Sequence, residues 1–363
     1  MTTQEFEFGL DSFGEVSVDP SGRLLSEAET VRLMISEAVL AEAAGIDSFN
    51  IGEHYRHEHV DSAGHMILAT IAGRTERIRL GTSVTVLSTR DPVRLYAEFA
   101  TLDAASNGRA QLVVGRASST ESFPLFGFDL ADYEILFEEK LDLLTRLLRD
   151  QPVTWSGTVR SPLTAQYVRP AIAAGNVPAW VGVGGSPQSV VRAARYGLPM
   201  MLAIIGGSPS RFAPYVELYK RALDEFGHTP LPVGMHSLGL VARTDEEARV
   251  AYEPHWEAAM NLGSKERGFR PPSPGQYETE IAEGALFVGS PETVAKKIAA
   301  TAGILGLSRF DLKYDMGRLP QLQRATSIEL YGREVIPRVR ELLREAAALP
   351  VPADAPAAAG SHA

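Results

Sequence analysis

The sequence predicts an α/β protein whose strands close into a (β/α)8 TIM barrel with insertions, and three observations carry that reading. Eight short apolar or β-prone runs, at residues 6–10, 48–51, 78–82, 110–114, 179–183, 200–205, 234–241 and 310–313, alternate with amphipathic helical stretches. Strands separated by helical crossovers are parallel neighbours, and eight of them suit closure. Residues 90–128 hold a helix, a turn, a strand and a loop in that order. Finally, the 363 residues exceed a simple count of ~150 per domain, yet α/β barrels commonly run past about 250 residues as one unit. Residues 1–349 therefore read as one domain.

Each element has a local reason. Ser26 with Glu29 forms a capping box, and Val31, Met34, Ile35, Ala38, Val39 and Ala41 give the following helix an apolar face for the barrel. Pro92 suits a helix's first turn, where its missing N–H is not needed. Val93, Ala97, Ala100, Leu102 and Ala105 follow at helical spacing, and Asn107-Gly108 ends the helix. Ala110 to Val114 is a short apolar run, long enough for a strand buried on both faces and bounded by Gly115. Arg116 follows at its carboxyl end, where ligands of parallel α/β proteins bind, so it is placed to meet a phosphate or carboxylate. The alternative is a surface arginine paired with Glu121 or Asp129.

A second unit, AWVGVGGSPQSVVRAARYG at residues 179–197, strengthens the anion reading. A buried strand leads into Gly184-Gly185, which permits close ligand approach; Ser186 is the N-cap and Pro187 the first helical residue. Ser186 and Ser189 stand one turn apart at the positive end of the helix dipole, an arrangement suited to a phosphate monoester. An ordinary capped helix is the plainer alternative. A dinucleotide fingerprint fails, because Pro187 occupies its third glycine position and the next strand ends in Gly206-Gly207 without an acidic residue.

Two insertions interrupt the rhythm. Residues 150–170 suggest a hairpin, and residues 261–284, rich in glycine, proline and charge, suggest either a lid-like segment over the site or a disordered loop. The Ala/Pro-rich tail, 350–363, is expected to be unstructured.

Composition limits the function. A net charge of -10 argues against nucleic acid or an anionic membrane as partner. With no cysteine, disulfides, thiol catalysis and cysteine metal sites are excluded, which fits a cytoplasmic location. No export signal or membrane-spanning apolar run is visible.

Glu53, His54, Tyr55, His57, Glu58 and His59 follow the second strand at the expected catalytic end. Such a cluster could bind a divalent ion or form a solvated polar loop. The spacing is neither H-x-H on a strand nor H-E-x-x-H on a helix, so no metal is assigned.

With GEHYRHEH at 52–59 and LGTSVTVLSTRDPVRL at 80–95, the two anion-binding units resemble the bacterial luciferase-like flavin-dependent monooxygenases, of the non-luminescent kind, from about Phe6 through Leu343. The resemblance implies that Arg116, Ser186 and Ser189 hold the phosphate of FMN, with the Gly184 and Gly185 backbone beside them. It implies that His54 is catalytic near the reactive ring edge. Ser83 and Val84 match a position where several members carry a non-proline cis peptide beneath the ring. The family's usual Glu-His-His is here Glu53-His54-Tyr55, Gly115 stands where luminescent relatives have cysteine, and Ala117 replaces a glycine.

By the same resemblance, the protein would oxygenate a small organic substrate with reduced FMN and O2 through a C4a-peroxyflavin. A separate NAD(P)H:flavin reductase would supply the flavin, since no pyridine-nucleotide fingerprint is present. A homodimer is expected. Alternatives are hydride transfer with the deazaflavin F420 on the same fold, a non-catalytic flavin-binding protein, and a metal-dependent barrel hydrolase. Phe13, Tyr55, Phe123, Tyr314 and Met316 are candidate wall residues of the substrate pocket.

Overall fold

A computed structural model describes residues 5–116, 120–149, 151–172, 175–267 and 270–348. Ala117 and the tail at 350–363 lie outside the described residues. Eleven strands are present among those described: β1 (Glu7–Ser12), β2 (Ser48–Ile51), β3 (Arg79–Val86), β4 (Ala110–Gly115), β5 (Val153–Trp155), β6 (Leu163–Gln166), β7 (Ala179–Val183), β8 (Met200–Ala203), β9 (Val233–Val241), β10 (Leu286–Gly289) and β11 (Arg309–Lys313). Eight pair in parallel in the order β9, β11, β1, β2, β3, β4, β7, β8, and β8 returns to β9. The sheet is thus a closed (β/α)8 barrel, and all eight expected strand runs fall in it.

Local chemistry explains the helices around it. The capping box is formed: the Ser26 hydroxyl accepts from Glu29 N–H while Glu29 accepts from Ser26 N–H at 2.8 Å. Asp91 caps the helix Pro92–Ser106 through the N–H groups of Val93 and Arg94, and Asn107 ends it in the left-handed conformation at φ 59°. Met34, Ile35, Ala38 and Ala41 from the first helix pack in one core with Phe8, Leu10 and Phe49 from the strands.

The barrel lumen at its amino-terminal end is polar. Arg309, wholly buried, donates to Asp311 at 2.9 and 2.7 Å, to Gln111 at 3.0 Å and to Asn50 at 3.2 Å. Three strands, β2, β4 and β11, therefore meet through one guanidinium. Gly81 makes room for this, because a Cβ there would lie 2.5 Å from Asn50 Oδ1 and 2.6 Å from Gln111 Cγ.

Three features depart from the sequence expectation. Strand β10 was not expected; it pairs with residues 238–241 of β9, the half of that nine-residue strand that projects past β8 and β11. Residues 261–284 are not one loop. Helix Asp245–Arg267 continues into them as far as Arg267, and a second helix, Gln276–Ala282, follows Gly275. This second helix is pinned. Tyr277 is buried against Trp256 at a ring separation of 5.3 Å, and Glu280 accepts the Gly207 N–H with both oxygens at 2.9 and 3.0 Å. Third, Tyr314 does not line the mouth: its hydroxyl donates to Glu37 on the first helix at 2.8 Å, which places it in the layer between β11 and that helix. Within 150–170, β5 and β6 pair as an antiparallel hairpin, and Trp155 Nε1 donates to Asp142 at 2.8 Å.

Candidate active site

The expected site residues come from the carboxyl ends of β2, β3, β4 and β7, which are consecutive neighbours in the barrel. Val84 sits between two of these strands. A Cβ on Gly115 of β4 would lie 2.7 Å from Val84 Cγ2, and one on Gly182 of β7 would lie 2.9 Å from Val84 Cγ1. Both glycines therefore let the β3 backbone and Val84 nest against their neighbours. The Ser83–Val84 peptide is cis, and the β3–β4 register shifts between Ser83 and Thr85.

On one side of β3 is the anion cradle. Ser186 caps the helix Pro187–Arg195, its hydroxyl lying 2.9 Å from that of Ser189 and accepting the Ser189 N–H at 3.3 Å. Arg116 Nη2 donates to Ser189 Oγ at 2.9 Å, so three side chains from β4 and this helix converge. Gly185 adopts φ +105°, and a Cβ on Gly184 would meet nothing within 4 Å, leaving the backbone open to a ligand. The cradle is not bare cation. Glu134 accepts from Arg116 Nη1 and from Arg192 Nη2, the latter at 2.8 Å, and Glu138 holds Arg192 Nε at 2.6 Å. Arg116 also lies 5.2 Å from the Tyr133 ring. Ser118 and Ser119, which follow in sequence, lie outside the described residues.

On the other side is the histidine site. Glu53, at the end of β2, is tied to β3 by the Val86 N–H at 3.0 Å and accepts the Tyr55 hydroxyl at 2.5 Å. Burial pushes the Glu53 carboxyl above its ordinary range despite nearby Arg90, and burial together with Glu53 pushes the Tyr55 phenol up. Tyr55 is therefore the donor for a buried carboxylate; its ring meets Phe126 edge-on at 5.0 Å.

His54 is buried next door. Its Nδ1 lies 2.7 Å from Asp61 Oδ2, and its backbone N–H reaches Asp61 Oδ1 at 3.1 Å. The His59 ring stacks on it at 4.6 Å and 19°, and the Phe13 ring flanks it at 4.7 Å. His59 Nδ1 is 3.0 Å from the Phe13 carbonyl; burial, and then the charge His54 can carry, lower its pKa. Phe13 also stacks on His236 at 5.7 Å and lies 4.6 Å beneath the Lys313 ammonium. His236 Nδ1 is 2.5 Å from Asp11, whose carboxyl burial raises.

In the barrel order, the His54 group at the end of β2 and the Arg116, Ser186 and Ser189 group at the ends of β4 and β7 thus flank β3, the strand that carries Val84. Of the candidate wall residues, Phe13 and Tyr55 belong to this site, Phe123 stacks on Tyr133 at 5.6 Å, and Met316 packs in a separate cluster with Tyr252 and Trp256. Asp61 was missed by sequence reasoning. It stands seven residues beyond His54 in an irregular loop, where no periodicity marks it.

Residues 12–307 match the family described as Luciferase-like monooxygenase. The chain belongs to the luciferase-like monooxygenase family. It is 26% identical over 316 residues to the N-acetyl-S-alkylcysteine monooxygenase of Bacillus subtilis, covering 78% of this chain and 86% of the relative. A monooxygenase from Streptomyces bottropensis superposes with TM-score 0.80 at 25% identity, over 91% of this chain and 99% of that one. The oxygenating component of 3,6-diketocamphane monooxygenase from Pseudomonas putida, a complex with FMN, shares the fold with TM-score 0.73 at 21% identity, over 92% and 99% of the two chains. An F420-dependent secondary alcohol dehydrogenase, in complex with an F420–acetone adduct, also shares the fold, with TM-score 0.71 at 18% identity over 92% and 99% of the two chains. None of the described helices is long and apolar enough to cross a membrane.

Proposed function

We propose that this luciferase-like protein is an FMN-dependent monooxygenase that oxygenates a small organic substrate, with reduced flavin delivered by a separate reductase. The observation that carries the reading is the convergence of Arg116, Ser186 and Ser189 beside the open Gly184-Gly185 backbone. A phosphate monoester needs charge-assisted and hydroxyl donors at a helix amino terminus, and these residues supply both. They would hold the FMN phosphate, with Ser83 and Val84 supporting the ring between the cradle and His54.

When bound, reduced FMN supplies the two electrons by which one oxygen atom enters the substrate and the other leaves as water. The chain contributes the remainder. Phe13, the His59 ring and Val84 present apolar faces that exclude water, and His54, by its Nε2, gives or takes the proton that the reaction moves.

The test is binding followed by turnover. The purified protein is titrated with reduced FMN and with reduced F420 under argon, then given air, a flavin reductase and a panel of carbonyl and thioether compounds. Saturable binding of FMN in preference to F420, with 18O from O2 in a product, is expected. Preference for F420 would give the hydride-transfer reading instead, and binding of FMN with peroxide as the sole product across the panel would give the flavin-binding one.

A further inference from the structure

The His54 site contains a carboxylate both of whose oxygens are given to one residue. Asp61 is fully buried, and its two oxygens take the His54 backbone N–H at 3.1 Å and the ring Nδ1 at 2.7 Å. A carboxylate can only accept, so Nδ1 must carry a proton. No lysine or arginine pairs with Asp61 among the described residues, and the His54 Nε2 has no hydrogen-bond partner among them either. The main chain is cut to fit. A Cβ on Gly52 would lie 2.7 Å from the Phe13 ring, 2.9 Å from Asp61 Oδ2 and 3.2 Å from His54 Cε1, so a glycine is what lets these three side chains meet.

We propose that Asp61 is the positioning residue of the catalytic histidine, holding His54 as its Nδ1–H tautomer so that Nε2 is the nitrogen that exchanges a proton with substrate. The two-point grip fixes both the ring's rotation and its protonated nitrogen, and the stacked His59 closes one face of the ring. His59 is itself committed, since its Nδ1–H donates to the Phe13 carbonyl. Among the described residues, the Asp61 side chain has no hydrogen bond or ion pair with the anion cradle; both its bonds go to His54. Its role is carried through His54 alone, and this inference rests on the monooxygenase reading for the identity of the reaction.

The grip makes Asp61→Asn an informative substitution. The backbone N–H of His54 is an obligatory donor, so the amide oxygen must stay with it, and the amide NH2 then faces Nδ1. His54 is thereby driven to the Nε2–H tautomer, with its outward nitrogen blocked as a proton acceptor. The test is two-bond 1H–15N correlation of the full-length, histidine-labelled protein, with His54 assigned by the signals lost in His54→Gln. The expected result is a pyrrole-type Nδ1 in the parent, a pyrrole-type Nε2 in Asp61→Asn, and restoration of the parental pattern in Asp61→Glu. Turnover in Asp61→Asn should fall by about 10²- to 10⁴-fold in kcat with the FMN Kd unchanged. A parental Nε2–H tautomer overturns the proposal even if the variant fails to fold. So does an unchanged tautomer in Asp61→Asn, or an inverted one with parental kcat. The tautomer is read without flavin or substrate, so failure of the monooxygenase reading would show separately, as absent oxygenation by a parent whose His54 carries its proton on Nδ1.

Discussion

Arg116 donates one guanidinium nitrogen to Ser189 Oγ at 2.9 Å and the other to Glu134, so the cation that the cradle needs is held in place before any anion arrives. A preorganised guanidinium loses little freedom on binding, which favours affinity. Arg116→Ala should weaken FMN binding by about 10- to 100-fold, the range of a charge-assisted hydrogen bond of about 1.5–3 kcal/mol, while the thermal midpoint changes little. Fluorescence titration of FMN checks it, and equal affinity in parent and variant would remove Arg116 from the phosphate site. Ser189→Ala should lose about 1 kcal/mol of binding. Ser186→Ala should lose a similar amount and also destabilise the helix by about 1 kcal/mol, because Ser186 is its N-cap.

The contact between Val84 and Gly182 gives a second expectation. Alanine at Gly182 would put a Cβ 2.9 Å from Val84 Cγ1, closer than packed carbons come, so one strand must move. Overpacking of this kind typically costs about 1–3 kcal/mol. Gly182→Ala should therefore be destabilising, and in combination with Val84→Ala the cost should fall well below the sum of the two. Urea denaturation of the four proteins in the cycle decides it, since additive losses would show that the two side chains do not compete for the same space.

The parts of the site that were legible in the sequence are those fixed by neighbours in the chain. Arg116 is read from the end of an apolar run, and Ser186 and Ser189 from a capping position followed by proline and one helical turn. His54 is placed by the end of β2 in the same way. What stayed hidden depends on residues brought together by closure. Arg309 meets Gln111 across 198 positions, and nothing in either strand's alternation says that the lumen will be polar rather than aliphatic. Strand β10 is four residues long and pairs only because β9 overshoots the barrel, a length that neither run announces. Residues 261–267 contain Gly263 and Ser264, which favour a break; the helix nevertheless continues through them, as weak propensity yields to the preceding turns.

Lys140 provides a pH-dependent expectation. Its ammonium donates to the Ser88 carbonyl at 2.5 Å and lies 4.1 Å from the Phe128 ring, and burial lowers its pKa to about 8 from the ordinary 10.5. Between those two values the unfolded chain binds a proton that the folded chain has released, so unfolding free energy rises with pH across that window. Below it both states are protonated and the contribution is flat. The total rise is at most about 3 kcal/mol at 1.36 kcal/mol per unit. Lys140→Met should remove Lys140's share of that slope and leave the share of Lys297, whose pKa burial likewise lowers to about 8; isothermal urea curves from pH 7 to 11 would reveal the reduction, and a parental slope retained in full would assign it to other groups.

The last expectation concerns Glu37 and Arg324, which hold the first helix to the helix after β11. Both are buried, Arg324 Nη2 donates to Glu37 at 2.6 Å, and Tyr314 donates to the same carboxylate oxygen at 2.8 Å. Burial drives the Glu37 carboxyl upward and Arg324 opposes it, so the pair's attraction is largely offset by the desolvation of its members. Removing Arg324 leaves Glu37 buried without its cation, and removing Glu37 leaves Arg324 with only the more distant Asp315, at 3.8 Å, as counter-charge. Glu37→Ala should therefore destabilise by about 3–5 kcal/mol, whereas the double replacement Glu37→Met with Arg324→Met, which takes out both charges and keeps the volume, should lie much nearer the parent. The comparison is made by chemical denaturation at one pH. A double variant as unstable as Glu37→Ala would mean that the geometry of the pair, including the Tyr314 hydroxyl it satisfies, stabilises this face of the barrel beyond the neutralisation of charge.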